Sequence, residues 1–170
     1  MVVRGRLTAL RIPREVVLEM LLHHPPLAEV LLDLLARRLL GNLLQTSPLF
    51  AEFDAEGRSE LSRLFELRRA AEGTKLAIAG KRMDGLYISL TGTLLVEAPG
   101  QEAYLAAPGS MFGQQALVSQ ALALVSVTAH VALVVLRLPS SAFTDLATQY
   151  PTVLERLAEL STGDVVSVTL

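Results

Sequence analysis

Few residues of this chain have the type and spacing that could carry out a reaction. None of its 170 residues is a cysteine. That excludes a thiolate nucleophile, a disulfide and a cysteine metal site. There are three histidines. His23 and His24 are adjacent, so on a helix they point about 100° apart and do not chelate one ion together. Lying just before Pro25, they are expected to be exposed. His130 sits in a strand-like run and is expected to face outward. No close carboxylate–histidine spacing occurs, and no metal site is expected. No nucleophile elbow, Walker loop or dinucleotide fingerprint is present. The expectation is no catalysis by this chain. What is left is binding chemistry, and it must be sought among glycine-punctuated segments such as Pro108-Gly109-Ser110-Met111-Phe112-Gly113.

Composition narrows the setting. Hydrophobic residues make up 51% of the chain, so a membrane segment has to be considered. The stretch from Ala103 to Leu136 is uncharged, and its most apolar part, Ala116 to Leu136, is long enough to cross a bilayer. That part contains Ser119, Gln120, Ser126, Thr128 and His130, and its second half is β-branched. It therefore reads as a turn between buried segments, the later one a strand, and no membrane contact is expected. Arg4 and Arg6 precede no apolar core, so no signal peptide is expected. Fifteen basic residues face seventeen acidic ones, for a net charge of −2. The basic footprint of a nucleic-acid binder is absent, and DNA contact is not expected. With no cysteine, a reducing, cytoplasmic setting is the expectation.

An internal repeat organises the chain. Leu7 to Asp33 (LTALRIPREVVLEMLLHHPPLAEVLLD) aligns with Leu133 to Glu159 (LVVLRLPSSAFTDLATQYPTVLERLAE) at an offset of 126 residues. Leu10, Arg11 and Pro13 match Leu136, Arg137 and Pro139; Pro25 matches Pro151. Both units spell a short strand, a proline turn, a helix, a proline break and a second helix. Proline cannot donate to a strand ladder, yet is tolerated where a helix starts. The offset is about one domain long. Residues 1–46 are thus expected to be a helical segment like the tail of a preceding domain, 47–160 a complete domain, and 161–170 a C-terminal tail. The chain is then a piece of a tandem protein, or a single domain with a similar extension.

The middle of the chain is β-rich. Leu76–Ala79, Gly85–Leu90 and Thr93–Glu97 are short, apolar and bounded by glycines at 73, 80, 85, 92, 100 and 109. Such spacing predicts a sandwich, roll or barrel. Ahead of it, Asp54 can cap a helix running to about Leu67, with Leu61, Leu64 and Phe65 on one face.

These segments resemble the cyclic-nucleotide-binding domain family. Gly73, Gly80, Asp84, Leu86, Tyr87 and Gly92 stand at the places of its core signature, and Pro48-Leu49-Phe50 resembles its opening. The run from Pro108 to Gly113, continued by Ala116-Leu117 and Val127-Thr128-Ala129, is similar to its phosphate-binding cassette. The resemblance implies a mainly β fold with flanking α helices. That fold is an antiparallel β-roll of jelly-roll type, with about eight strands between about Glu72 and Leu138, here with an N-terminal helical extension. It also implies turns of positive φ at Gly92 and Gly109, and a short helix opening at Gly113 whose N–H groups face a phosphate. The implied pocket comprises Gly92, Met111, Phe112, Gly113, Gln114, Gln115, Ala116, Ala123 and Leu124.

Two positions depart from the family. A glutamate that accepts the ribose hydroxyl is replaced by Gln114, and nine residues on, an arginine that pairs with the phosphate is replaced by Ala123. No arginine or lysine lies between Arg82 and Arg137. A buried bidentate arginine contributes roughly 2–5 kcal/mol to such a contact. Its loss costs on the order of two to three powers of ten in affinity. The resemblance therefore implies a regulatory or sensory module that holds cyclic AMP or cyclic GMP weakly, or another small ligand in a more apolar pocket. The alternative is a pseudo-domain kept for its fold and for protein interaction or oligomerisation. No bound cofactor is expected. The other expected partners are further domains of a larger protein. A homodimer through the Leu-rich helix 27–44 is a further candidate, its apolar face formed by Leu31, Leu34, Leu35 and Leu39 and its polar stripe by Glu29, Asp33 and Arg37.

Overall fold

The computed structural model describes residues 12–47, 50–118, 122–150 and 165–167. Residues 1–35 and 36–170 form two compact units.

In the first unit, helix α1 (Arg14–His23) starts directly after Pro13. Helix α2 (Pro25–Thr46) opens on Pro25, where a missing N–H costs nothing, and its residues from Ala36 onward belong to the second unit. The strand expected over residues 7–11 lies outside the described residues. Leu34 and Leu35 are exposed, at 61% and 54%. The buried stripe of α2 is instead Ala36, Leu40, Leu43 and Leu44. These positions recur at helical spacing and join the core of the second unit, so the apolar face lies further along the helix than the leucine pattern suggested.

The second unit is the roll. Asp54 caps helix α3 (Ala55–Leu64) by accepting from the Gly57 N–H at 2.8 Å. The helix ends at Leu64, not near Leu67. Phe65 is already extended, and strand β1 (Glu66–Ala70) follows at once. The roll therefore begins at Glu66, ahead of the expected Glu72, because Glu66–Ala70 pairs along its whole length with a later strand. Seven more strands complete it. They are β2 (Lys75–Ala77), β3 (Gly85–Ser89), β4 (Leu94–Glu97), β5 (Tyr104–Ala106), β6 (Ser110–Phe112), β7 (Ser126–Ala129) and β8 (Leu133–Pro139). Helix α4 (Gln115–Val118) follows β6 and helix α5 (Ser140–Ala147) follows β8. Like α1, α5 starts directly after a proline, 126 residues further on. The helix expected after Pro151 lies outside the described residues.

The strands form two antiparallel sheets, ordered β1-β8-β3-β6-β9 and β2-β7-β4-β5. The ninth strand, β9 (Val165–Ser167), was not foreseen. It falls in the segment read as a tail and pairs antiparallel with β6. Every residue of β3 is buried because both faces of its sheet are covered. Leu86 and Ile88 join Met111, Leu136, Leu138 and Phe143 on the helix side. Tyr87 joins Phe112, Val127 and Val135 inside the roll. The described residues of the segment Ala116–Leu136 form a helical turn and two strands, and no helix among the described residues is long and apolar enough to cross a membrane.

Candidate functional site

Glycines held at positive φ turn the chain around and into the cassette. Gly92 and Gly109 have φ of 73° and 87°, as expected at their turns. Gly113, between β6 and α4, has φ +82°, and a Cβ there would lie 2.5 Å from the Gly85 carbonyl oxygen and 2.6 Å from the Met83 methyl. Both the left-handed backbone and the close approach exclude a side chain. The chain then folds into α4, with Ala116 N–H donating to Gly113 O at 3.0 Å and Leu117 N–H to Gln114 O at 3.1 Å.

Further on, the chain returns and is pinned at Ala123. Its N–H donates to Lys81 O at 2.8 Å, and its carbonyl accepts from Gly80 N–H at 2.8 Å. The side chain is buried, 8% exposed, and faces inward. Gln114 is 1% exposed and lines the same space.

Seven of the expected pocket residues meet around this space: Phe112, Gly113, Gln114, Gln115, Ala116, Ala123 and Leu124. Two do not. Gly92 sits in the β3–β4 turn against Leu133, and Met111 points to the helix-side core. The pocket also takes Ala77, Met83, Leu122, Val125 and Val127, which sequence reasoning missed. The inward residues of β2 and β7 could have been found from strand alternation once those strands were paired. Among the described residues, none that line this cavity is ionisable. Its volume is about 20 Å³, room for roughly one water molecule, against roughly 300–1,000 Å³ for small-molecule pockets.

Behind the cassette, the Tyr87 ring stacks on Phe112 with centroids 5.3 Å apart. The Tyr87 hydroxyl donates to Asp84 Oδ1 at 2.8 Å. Burial, together with the adjacent Asp84 carboxylate, pushes the Tyr87 hydroxyl up to about 12. It is a fixed donor, not a proton carrier at neutral pH.

A family model described as the cyclic nucleotide-binding domain matches residues 67–150. No curated protein sequence matches the chain. Among solved structures, the C-linker/CNBHD of zELK channels, crystallised in the presence of cAMP, is 18% identical with a TM-score of 0.60, covering 69% of this chain and 60% of that one. The Thermus thermophilus catabolite activator protein is 24% identical with a TM-score of 0.54, covering 67% and 56%. The regulatory domain of Toxoplasma gondii PKA with cAMP is 22% identical with a TM-score of 0.57, covering 72% and 48%. The chain thus spans less than two thirds of each of these three structures. At such identities the likeness establishes the fold alone, a roll with flanking helices. Together with the family match, this identifies residues 67–150 as a domain of the cyclic nucleotide-binding family.

Proposed function

We propose that this domain, of a kind typical of regulatory and sensory modules, binds cyclic AMP or cyclic GMP only weakly. The observation that carries this reading is Ala123. It is a buried, uncharged side chain in the cavity where the family resemblance implies a phosphate-pairing arginine. A cyclic phosphate entering there is desolvated, and among the described residues that line the cavity no cation compensates it. Backbone N–H groups alone recover part of that cost.

Titration calorimetry tests this on the wild type, Ala123→Arg, Gln114→Glu and the double variant. The wild type is expected to bind no tighter than high micromolar. Arginine should restore more affinity than glutamate, because it neutralises an anion while the glutamate only orients a hydroxyl. Tight binding by the wild type would overturn the reading.

A second reading is favoured by the small cavity: a pseudo-domain kept for its fold and for protein contacts. No gain in the double variant would select it. The shared start of α1 and α5 after prolines 126 residues apart supports residues 1–46 as the tail of a preceding similar domain. The gene sequence upstream tests that. Exposed Val30, Leu34 and Leu35 support a homodimer through helix 27–44, to be tested by sedimentation of wild type against Leu34→Glu.

A further inference from the structure

The roll contains a second hollow with the opposite character to the cassette. It lies between β1 and β2, the edge strands of the two sheets, and measures about 250 Å³. Arg68, Ala70, Thr74, Asp84, Tyr87 and Arg137 line it. Glu66 and Arg68 are two apart on β1 and so share a face, and Arg137 stands opposite Glu66 in the strand register.

The hydrogen bonds here converge on one atom. Glu66 Oε2 accepts from Arg68 Nε at 3.1 Å, Arg68 Nη2 at 2.7 Å and Arg137 Nη1 at 2.9 Å. Arg137 is held in place from its other side, where Nη2 donates to Asp84 Oδ2 at 2.7 Å. Its side chain is only 17% exposed, and its buried Nε has no hydrogen-bond partner among the described residues. One carboxylate oxygen receiving three N–H groups from two guanidinium groups marks a position built for an oxyanion. Glu66 itself is 41% exposed, so water partly screens the pairing and the carboxylate has room to swing out into solvent. A phosphate group brings more charge and more acceptor oxygens to the same donors.

We propose that Arg68 and Arg137, which line this hollow, bind a phosphate-type oxyanion there, with the Glu66 carboxylate that now pairs with both acting as a built-in competitor. The site is separate from the cassette and does not depend on whether a cyclic nucleotide binds there.

The test is a ¹⁵N chemical-shift titration of the full 170-residue chain with inorganic phosphate and, in parallel, 5′-AMP, at constant ionic strength. Saturable shifts are expected at residues 66–70 and 135–137. Glu66→Gln, which removes the competing charge, should tighten phosphate binding about tenfold, and Arg68→Gln should weaken it by at least about tenfold. Arg68 is half-exposed, so its replacement leaves the fold intact, and the dispersion of the same spectra verifies this. Equal affinity for both probes would name free phosphate as the ligand, and tighter 5′-AMP binding a phosphate monoester; either supports the site. Three results would overturn it: no saturable shift at these residues in Glu66→Gln, undiminished affinity in Arg68→Gln, or equal tightening by the exposed neighbour Glu72→Gln, which would reveal only a diffuse field.

Discussion

Tyr87 and Phe112 are register partners on β3 and β6, and their rings lie within 7° of parallel inside the roll. The pair joins the residue that precedes Gly113 to the Asp84 carboxylate, so the cassette rests on an aromatic floor anchored by a hydrogen bond. The two halves of this tie differ in worth. Tyr87→Phe keeps the stack and removes only the hydroxyl contact, for an expected loss of about 1 kcal/mol. Phe112→Ala opens a cavity in a fully packed core, for an expected loss of about 3–5 kcal/mol. Urea denaturation at pH 7 measures both, and equal losses would contradict this division.

Stability should fall in acid through two carboxylates. Arg68 foremost, and Arg137, hold Glu66 below its ordinary 4.5 despite some opposing burial. For Asp84, burial acts upward, but the Tyr87 and Arg137 hydrogen bonds outweigh it and leave the group below its ordinary 3.8. Both groups therefore bind protons more readily in the unfolded chain. Their stabilisation is complete above the unfolded values and is lost as pH falls from about 4.5 through the depressed native values. Urea midpoints between pH 7 and 2.5 should show this slope, and Asp84→Asn should flatten it. An unchanged slope in that variant would assign the acid transition to other groups.

Gly113→Ala should be among the most damaging single-methyl changes in the chain. The added Cβ meets the Gly85 carbonyl at 2.5 Å, a backbone atom that cannot rotate away, at a φ of +82°. The backbone strain alone costs roughly 1–3 kcal/mol. A lowered thermal midpoint is the readout. Gly73→Ala serves as the comparison, since it shares the positive φ but has open space around its Cβ, and it should lose less.

The cassette cavity should penalise a lone charge. Gln114→Glu places a carboxyl where Gln114 is 1% exposed and, among the described residues, none that line the cavity is ionisable. Its native pKa should rise above the unfolded value, so the destabilisation should be larger at pH 7 than at pH 4.5. Adding Ala123→Arg should recover part of it, with a coupling of roughly 0.5–3 kcal/mol in a double-mutant cycle. Additive losses would show that the two side chains do not meet.

Strand β9 covers the edge of β6 immediately before the cassette. A chain ending at Asp164 should expose that edge, raising amide exchange across Ser110–Phe112 and favouring self-association. Exchange mass spectrometry and sedimentation read the two effects. Unchanged protection of β6 would mean that β9 contributes nothing to it.

What the sequence by itself determined is local. Gly109 and Gly113 set the cassette backbone because a left-handed residue needs no distant information to be recognised, and Asp54 announced its helix by type alone. Pro13, Pro25 and Pro139 marked helix starts for the same reason: proline restricts its own dihedral. The change from helix to strand at Phe65 was not legible, because Leu61, Leu64 and Phe65 fit a helical face and only pairing with β8 makes Glu66–Ala70 a strand. The size of the cassette cavity was equally hidden. It depends on side chains from β2, β7 and Met83, distant in sequence and brought together only by the roll. Sequence showed that Ala123 is not an arginine; packing decided that its neighbours nearly fill the space, and strand register decided that Arg68 and Arg137 converge on Glu66 instead. Local dihedral preferences are written residue by residue, whereas volumes and charge neighbourhoods belong to pairs of strands and exist only after those strands have met.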